Sequence, residues 1–259
     1  MGKVYLIGAG PGAADLITVR GARLLGMADV VLHDALIEPA MLEYAPHARK
    51  IAVGKRCGQR STAQHFINKQ IVDAAREHDV VVRLKGGDPM LFGRADEEMR
   101  ALEAAGIEYE VVPGITAALA SAASLRRSLT LRGVARSVAL ATHSRAADSA
   151  EIREQVNADS LVFYMGRDSA PEIAQQLIDA GRAPATPVAI VEACSTPRER
   201  MLTLTLEGLA AGDAQLWLDP AQPSLLMIGD AFAERQLGTT DATDAAAQDA
   251  VKSSVLRVA

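Results

Sequence analysis

Two glycine-rich stretches hold the residues with the clearest chemical use. Gly8-Ala9-Gly10-Pro11-Gly12 follows the apolar run Val4–Ile7, and Lys85-Gly86-Gly87-Asp88-Pro89 follows the run Val80–Leu84. Glycines directly past a strand let a ligand lie against bare backbone, and open α/β sheets hold ligands at the carboxyl ends of their strands. The first stretch is a poor phosphate cradle. Pro11 has no N–H to donate, and the next helical pattern starts only near Thr18, so no helix N-terminus abuts the loop. An uncharged or cationic nucleoside fits better, and S-adenosylmethionine (SAM), an adenosine with a sulfonium and no phosphate, is one. A tight strand–helix turn with no ligand explains this loop equally well. Asp88 adds an acceptor beside the second glycine pair, or caps a turn into a helix.

Asp34, just past the run Ala28–Leu32, is the carboxylate best placed to accept a proton at a strand end. A dinucleotide site would instead use it for ribose hydroxyls, and a plain surface carboxylate would do neither. Two runs are basic with no acid: Arg49, Lys50, Lys55, Arg56 and Arg60, then Arg126, Arg127, Arg132 and Arg136. Guanidinium groups grip carboxylates through paired, charge-assisted bonds, so a polyanionic ligand has local partners here; solvated faces are the alternative. The histidines His33, His47, His65, His78 and His143 show no zinc-like spacing among themselves or with Cys57 and Cys194. No metal site and no serine or cysteine nucleophile is expected.

The elements that would position these residues alternate. Strands are expected at Val4–Ile7, Ala28–Leu32, Ile51–Val53, Val80–Leu84 and Tyr109–Val112. Helices are expected over Thr18–Met27, from Glu38-Pro39, through Ile67, Ile71 and Ala74, and from about Arg94 to Gly106. Strands joined by helical crossovers predict a mainly parallel, doubly wound sheet. After Pro113-Gly114, Thr116 can cap an Ala-rich helix reaching about Leu125. Strands follow at Ser137–Ala141, Leu161–Met165, Val188–Val191, Leu202–Thr205 and Leu225–Ile228, with a helix from Pro171 ended by Gly181. The alternation Leu202-Thr203-Leu204-Thr205 predicts antiparallel pairing in this half. The expected fold is two α/β domains, 1–112 and 113–236, followed by a mobile tail over 237–259.

Composition excludes several classes. The 259 residues include only four Phe, four Tyr and one Trp, too few for a base-stacking platform. The net charge of −5 has the wrong sign for coating a phosphate backbone. No apolar stretch reaches the roughly 20 residues of a membrane span, and the N-terminal residues lack a signal-peptide core. A cytoplasmic protein with neither nucleic-acid nor membrane partner is expected.

Taken together, the segments Val4–Gly12, Ala28–Leu36, Val53–Arg56, Val81–Pro89, Phe92–Arg94, Val111–Ala117, Leu161–Gly166 and Pro187–Glu192 resemble the tetrapyrrole methylases, and among them the uroporphyrinogen-III C-methyltransferases. The resemblance implies two α/β domains with SAM in the cleft between them, usually in a homodimer. It also implies methylation of two ring carbons of uroporphyrinogen III to precorrin-2, toward siroheme or cobalamin. Carried over position by position, it assigns SAM contacts to Pro11, Gly86, Gly87, Asp88, Leu91, Thr116, Ala117, Met165 and Cys194. It assigns Asp34 as general base, Lys55 as its cationic partner and proton donor, and Arg94 and Arg56 to the substrate carboxylates. The chain departs from the family pattern at Ala95 and Asp96, where two glycines are usual, at Leu131, where histidine is usual, and over Ala63–Phe66. Three alternatives stay open: a methylase of another corrinoid precursor, a SAM- or tetrapyrrole-binding protein without turnover, and a nicotinamide-dependent oxidoreductase.

Overall fold

A computed structural model describes residues 2–53, 64–143 and 157–234. The expected tail over 237–259, and the residues Lys55, Arg56, Cys57 and Arg60, lie outside the described residues.

The first five strands, β1 (Lys3–Gly8), β2 (Val30–His33), β3 (Arg49–Ala52), β4 (Val80–Lys85) and β5 (Tyr109–Val112), form one sheet in the order β3-β2-β4-β1-β5. Every pairing in it is parallel. Alternate strand residues face opposite cores, which explains the nearly continuous apolar runs. Val4, Leu6, Val30, Leu32 and Val81 pack under α2 (Gln64–Glu77) and α3 (Ala95–Ala104). Ile7, Val31, Val82 and Leu84 pack under α1 (Val19–Gly26) on the other side. The sheet is doubly wound, as its pattern predicts.

The other five strands are β6 (Val138–Thr142), β7 (Ser160–Tyr164), β8 (Pro187–Glu192), β9 (Arg200–Thr205) and β10 (Ser224–Ile228), ordered β6-β7-β10-β8-β9. Only β6 and β7 run parallel; the remaining pairings are antiparallel. Helices α5 (Ala170–Asp179) and α6 (Leu206–Ala211) cover one face, and α4 (Ala117–Leu125) the other. Alanines at 118, 120 and 122 of α4 bring its backbone close to Val162, Ala189 and Met227.

The short helix expected from Glu38-Pro39 is present as a 3-10 helix over Pro39–Tyr44, with the proline in its first turn. One local expectation is corrected. Thr18 caps α1 by accepting from the Gly21 N–H at 3.1 Å, but Thr116 makes no such cap at α4. Its hydroxyl is engaged by Tyr164 instead.

The loops leaving β1, β4 and β5 meet backbone to backbone. A Cβ on Gly8 would lie 2.6 Å from the Gly114 nitrogen and 2.7 Å from the Gly87 oxygen, and one on Gly114 would lie 2.3 Å from that same oxygen. Alanine at position 8 or 114 is expected to destabilise the fold by about 2 kcal/mol or more. A lower urea midpoint with unchanged slope would show it. Gly86→Ala should leave the midpoint where it is, because its Cβ would meet nothing within 4 Å.

Candidate functional site

The two glycine stretches pair with each other. Gly87 N–H donates to the Gly10 oxygen at 2.7 Å, and Gly10 N–H donates to the Gly87 oxygen at 3.2 Å. Both residues have positive φ, +78° at Gly10 and +65° at Gly87, a backbone that side chains disfavour. Asp88 ties a third loop in: one carboxylate oxygen accepts from Met90 N–H at 2.8 Å and the other from Gly114 N–H at 2.9 Å. The expected Asp88 acceptor is thus engaged with backbone in two loops. Gly86 beside it is exposed, and the space where its Cβ would be is open. This bare face is where a ligand can lie against the chain. The α-helix starts only at Val19, as its sequence predicts, but a 3-10 turn over Ala14–Leu16, which the sequence reading missed, follows the first loop directly.

The second half of the chain closes on this cradle. A Cβ on Gly12 would lie 2.8 Å from the Cys194 oxygen and 2.7 Å from the Thr196 side chain. Ala13 N–H donates to the Ser195 hydroxyl at 3.1 Å. Thr116 is 3.9 Å from where a Gly87 Cβ would be, and its hydroxyl meets the Tyr164 phenol at 2.5 Å. That phenol also accepts from Ala118 N–H at 3.1 Å, and its ring lies 5.1 Å from the ring of Phe92. Burial pushes the Tyr164 phenol above its ordinary pKa, so it stays a neutral hydrogen-bonding group. Pro11, Gly86, Gly87, Asp88, Leu91, Thr116, Ala117, Met165 and Cys194 are therefore gathered along one connected set of loops. Met165 is exposed just past β7, with φ of +53°, so the strand expected to end there stops at Tyr164. Leu91 and Ala117 are half-buried.

Asp34 follows β2, its backbone N–H bonded to the Leu84 oxygen at 3.2 Å, which puts it beside the strand that leads to Gly86. Its carboxylate is 33 % exposed and meets Arg83 Nη2 at 2.5 Å. Lys55, expected as the cation for Asp34, lies outside the described residues; Arg83 fills that role here. Arg83 also donates to Glu98 at 2.9 Å, and Glu98 receives Lys85 Nζ at 2.9 Å on its other oxygen. Arg83, Lys85 and Glu98 are all buried. Burial opposes the Arg83 charge, but the Asp34 and Glu98 carboxylates outweigh it and hold the guanidinium above its ordinary pKa. Lys85 moves the other way: burial, then the adjacent Arg83 charge, depress its ammonium. This cluster went unread in the sequence, although a lone arginine inside an apolar strand, with a lysine two residues on, was its signal.

Arg94 is exposed in a left-handed conformation just before α3, and its guanidinium forks onto Glu97 at 2.7 and 2.9 Å. That bond holds Arg94 above and Glu97 below their ordinary pKa values. Arg126 is exposed, whereas Arg127 donates to the Ala233 oxygen at 2.8 Å. Both line a cavity of about 590 Å3 between α4 and β6, which Thr116 and Leu119 also line. Arg49 and Lys50 are exposed on β3, at the sheet edge. Among the described residues, no group of three His, Cys, Asp or Glu is arranged to hold a metal ion. No described helix is long and apolar enough to cross a membrane.

This fold and its cleft define a known class. A family profile described as tetrapyrrole (corrin/porphyrin) methylases matches residues 3–210, and the chain belongs to that family. Uroporphyrin III C-methyl transferase from Thermus thermophilus is 38% identical, with TM-score 0.78 over 89% of this chain and 93% of that one. A structure of that enzyme complexed with S-adenyl homocysteine aligns with TM-score 0.80 at 37% identity, over 94% of this chain and all of that one. Siroheme synthase of Psychrobacter cryohalolentis is 43% identical over 89% of this chain but only 44% of its own length. That of Azotobacter vinelandii is 44% identical over 89% and 50%. The chain thus spans about half the length of the curated relatives it matches.

Cys194 enters the cleft through its backbone. Burial pushes its thiol up to about 11, so it is protonated at neutral pH and a poor nucleophile. In a Cys57→Ser chain, iodoacetamide at about pH 8 should leave the native protein unlabelled and add one label after unfolding, as read by mass spectrometry.

Proposed function

We propose that this chain transfers methyl groups from SAM to two ring carbons of uroporphyrinogen III, giving precorrin-2 on the routes to siroheme and cobalamin. The bare backbone face at Gly86, bounded by the paired glycine loops and closed by residues 193–196, carries the reading. It suits a nucleoside that brings no phosphate, and likeness to the Thermus thermophilus enzyme over nearly its whole length supports the substrate. The remaining half of the siroheme synthases has no counterpart in the matched region, so the proposal covers the methyl transfer alone.

SAM supplies an electrophilic methyl on a sulfonium that is already a good leaving group, so the proposed reaction uses no metal. The chain's contribution is alignment and proton handling. Gly86, Gly87 and the loops around Pro11, Leu91, Thr116, Ala117, Met165 and Cys194 hold the donor. Alignment of this kind is worth up to about 7–11 kcal/mol in well-oriented systems. The ring carbon attacks the SAM methyl, the sulfonium leaves as S-adenosylhomocysteine, and Asp34 accepts the one proton that the methylated macrocycle then sheds, with Lys55 as the cation that keeps Asp34 ionised. Arg94, steadied by Glu97, and Arg56 grip substrate carboxylates.

The assay is incubation with SAM and uroporphyrinogen III, with doubly methylated product expected. Asp34→Ala should keep its affinity for S-adenosylhomocysteine and lose about 10²-fold or more in turnover, the usual worth of a general base. Turnover at the parental rate would remove Asp34 from the mechanism. Gly86→Ala, neutral for folding, should weaken S-adenosylhomocysteine binding about tenfold, roughly 1.4 kcal/mol. Likeness to a cobalt precorrin-4 methyltransferase, 27% identical with TM-score 0.76, favours one competing reading. Methylation of a corrinoid precursor and not of uroporphyrinogen III would establish it.

The remaining expectations are proposals of the same kind: a cytoplasmic enzyme, two domains dividing near Pro113, and a homodimer. Exposed Leu119, Leu131 and Val134, on α4 and the turn after it, support a second copy docking there. Light scattering should give a dimer mass for the parent and a monomer mass for Leu119→Glu.

A further inference from the structure

The buried ionic cluster is expensive and unbalanced. Arg83 and Lys85, at 2% and 3% exposure, share the single buried carboxylate of Glu98, at 1%. Three well-packed apolar side chains would serve stability as well or better, because desolvation of ions offsets most of their attraction. What the ionic version adds is direction. The cluster is a chain, Lys85–Glu98–Arg83–Asp34, and only its last member reaches the cleft.

Glu98 grips Arg83 through Nε, and Arg83 Nη1 donates to the Leu84 oxygen at 3.1 Å. Held on two sides, the guanidinium plane cannot turn. Nη2 is therefore aimed at one point, Asp34 Oδ1. Among the described residues Oδ1 is the Asp34 oxygen that is hydrogen-bonded, so the same contact decides that Oδ2 is the oxygen left for another partner. Glu98 comes from the first turn of α3, whereas Asp34 directly follows β2, so the bond chain joins two segments far apart in sequence.

We propose that Glu98 is a positioning residue: through Arg83 it fixes the Asp34 carboxylate with Oδ2 presented to the reacting carbon. This rests on the reading of Asp34 as proton acceptor. A merely structural Glu98 would change activity only as far as it changes folding, whereas a positioning residue changes turnover in protein that is folded and binds ligand.

The test uses the full chain, with rates expressed per S-adenosylhomocysteine-binding site counted by calorimetry. Glu98→Gln should lower kcat at least ~10-fold, while KM for uroporphyrinogen III and the S-adenosylhomocysteine Kd move less than about threefold. The double variant Glu98→Met/Lys85→Met removes one buried charge of each sign and should regain the parental thermal midpoint. It leaves Arg83 Nε without its anchor, so kcat should stay low. Recovery of kcat together with the midpoint, parental kcat in Glu98→Gln, or loss of all ligand binding in both variants would each overturn the proposal and leave Glu98 a residue of the fold. Asp34→Asn separates the two readings. If it turns over at the parental rate, the proton-acceptor reading has failed. If it is inactive while the Glu98 variants are not, only the positioning has.

Discussion

At the carboxyl ends of β1, β4 and β5, three loops touch through the main-chain atoms of Gly8, Gly87 and Gly114. The paired hydrogen bonds of Gly10 and Gly87 form an isolated antiparallel bridge just past the parallel β1–β4 pairing, whose last matched pair is Gly8 with Lys85. Gly114 closes the group from β5, its N–H held by Asp88. Everything on the ligand side follows from this contact. It turns the Gly86 backbone outward, sets Thr116 against Gly87, and leaves Gly12 to receive the Cys194 carbonyl. A cradle built from fixed main chain is formed before any ligand arrives, so binding costs little further ordering.

The rim of that cradle concentrates unusual backbone. Phe92, Arg94, Met165, Ala193 and Ser195 all have φ between +50° and +56°, although none is glycine. Each costs on the order of 1 kcal/mol and persists where neighbours over-determine it. The neighbours are visible: Phe92 stacks near Tyr164, Arg94 forks onto Glu97, and Ser195 accepts from Ala13. Strain gathered at a cleft, and held there by contacts from both halves of the chain, aims side chains and carbonyls that relaxed turns would point elsewhere.

Local signals were the legible ones. Glycine after a strand, apolar periodicity and the late start of α1 each depend on a few adjacent residues, and those readings match the structure. Partnerships across the chain were not legible. Thr116 has the residue type and position of a cap, yet its hydroxyl goes to Tyr164, 48 residues later. Arg83 reads as an interruption of a strand until Glu98 is brought over it from α3. Glycine itself has two uses that sequence cannot separate. At Gly8 and Gly114 the missing Cβ makes room for other backbone, and at Gly86 it leaves a face open. The difference lies in what a Cβ would meet, which only the fold decides.

The same reasoning bears on where the chain departs from its family. Ala95 is buried at the start of α3 and packs into the core beneath that helix. Asp96 points outward and pairs with Arg100 one turn on, at 2.7 Å. Neither touches Arg94, Glu97 or Glu98 by a polar contact, and both favour helix more than the usual glycine pair does. The substitutions therefore stiffen the element that carries Glu97 and Glu98 without removing a polar group from the cleft. Leu131 differs in kind. It begins a tight turn whose backbone closes on Ala135 at 2.8 and 2.9 Å, and its side chain is 40% exposed where the family has an imidazole. Its neighbours Arg126, Ser128 and Thr130 line the α4–β6 cavity whereas Leu131 does not, so the leucine sits on the turn beside that cavity and leaves its polar lining in place.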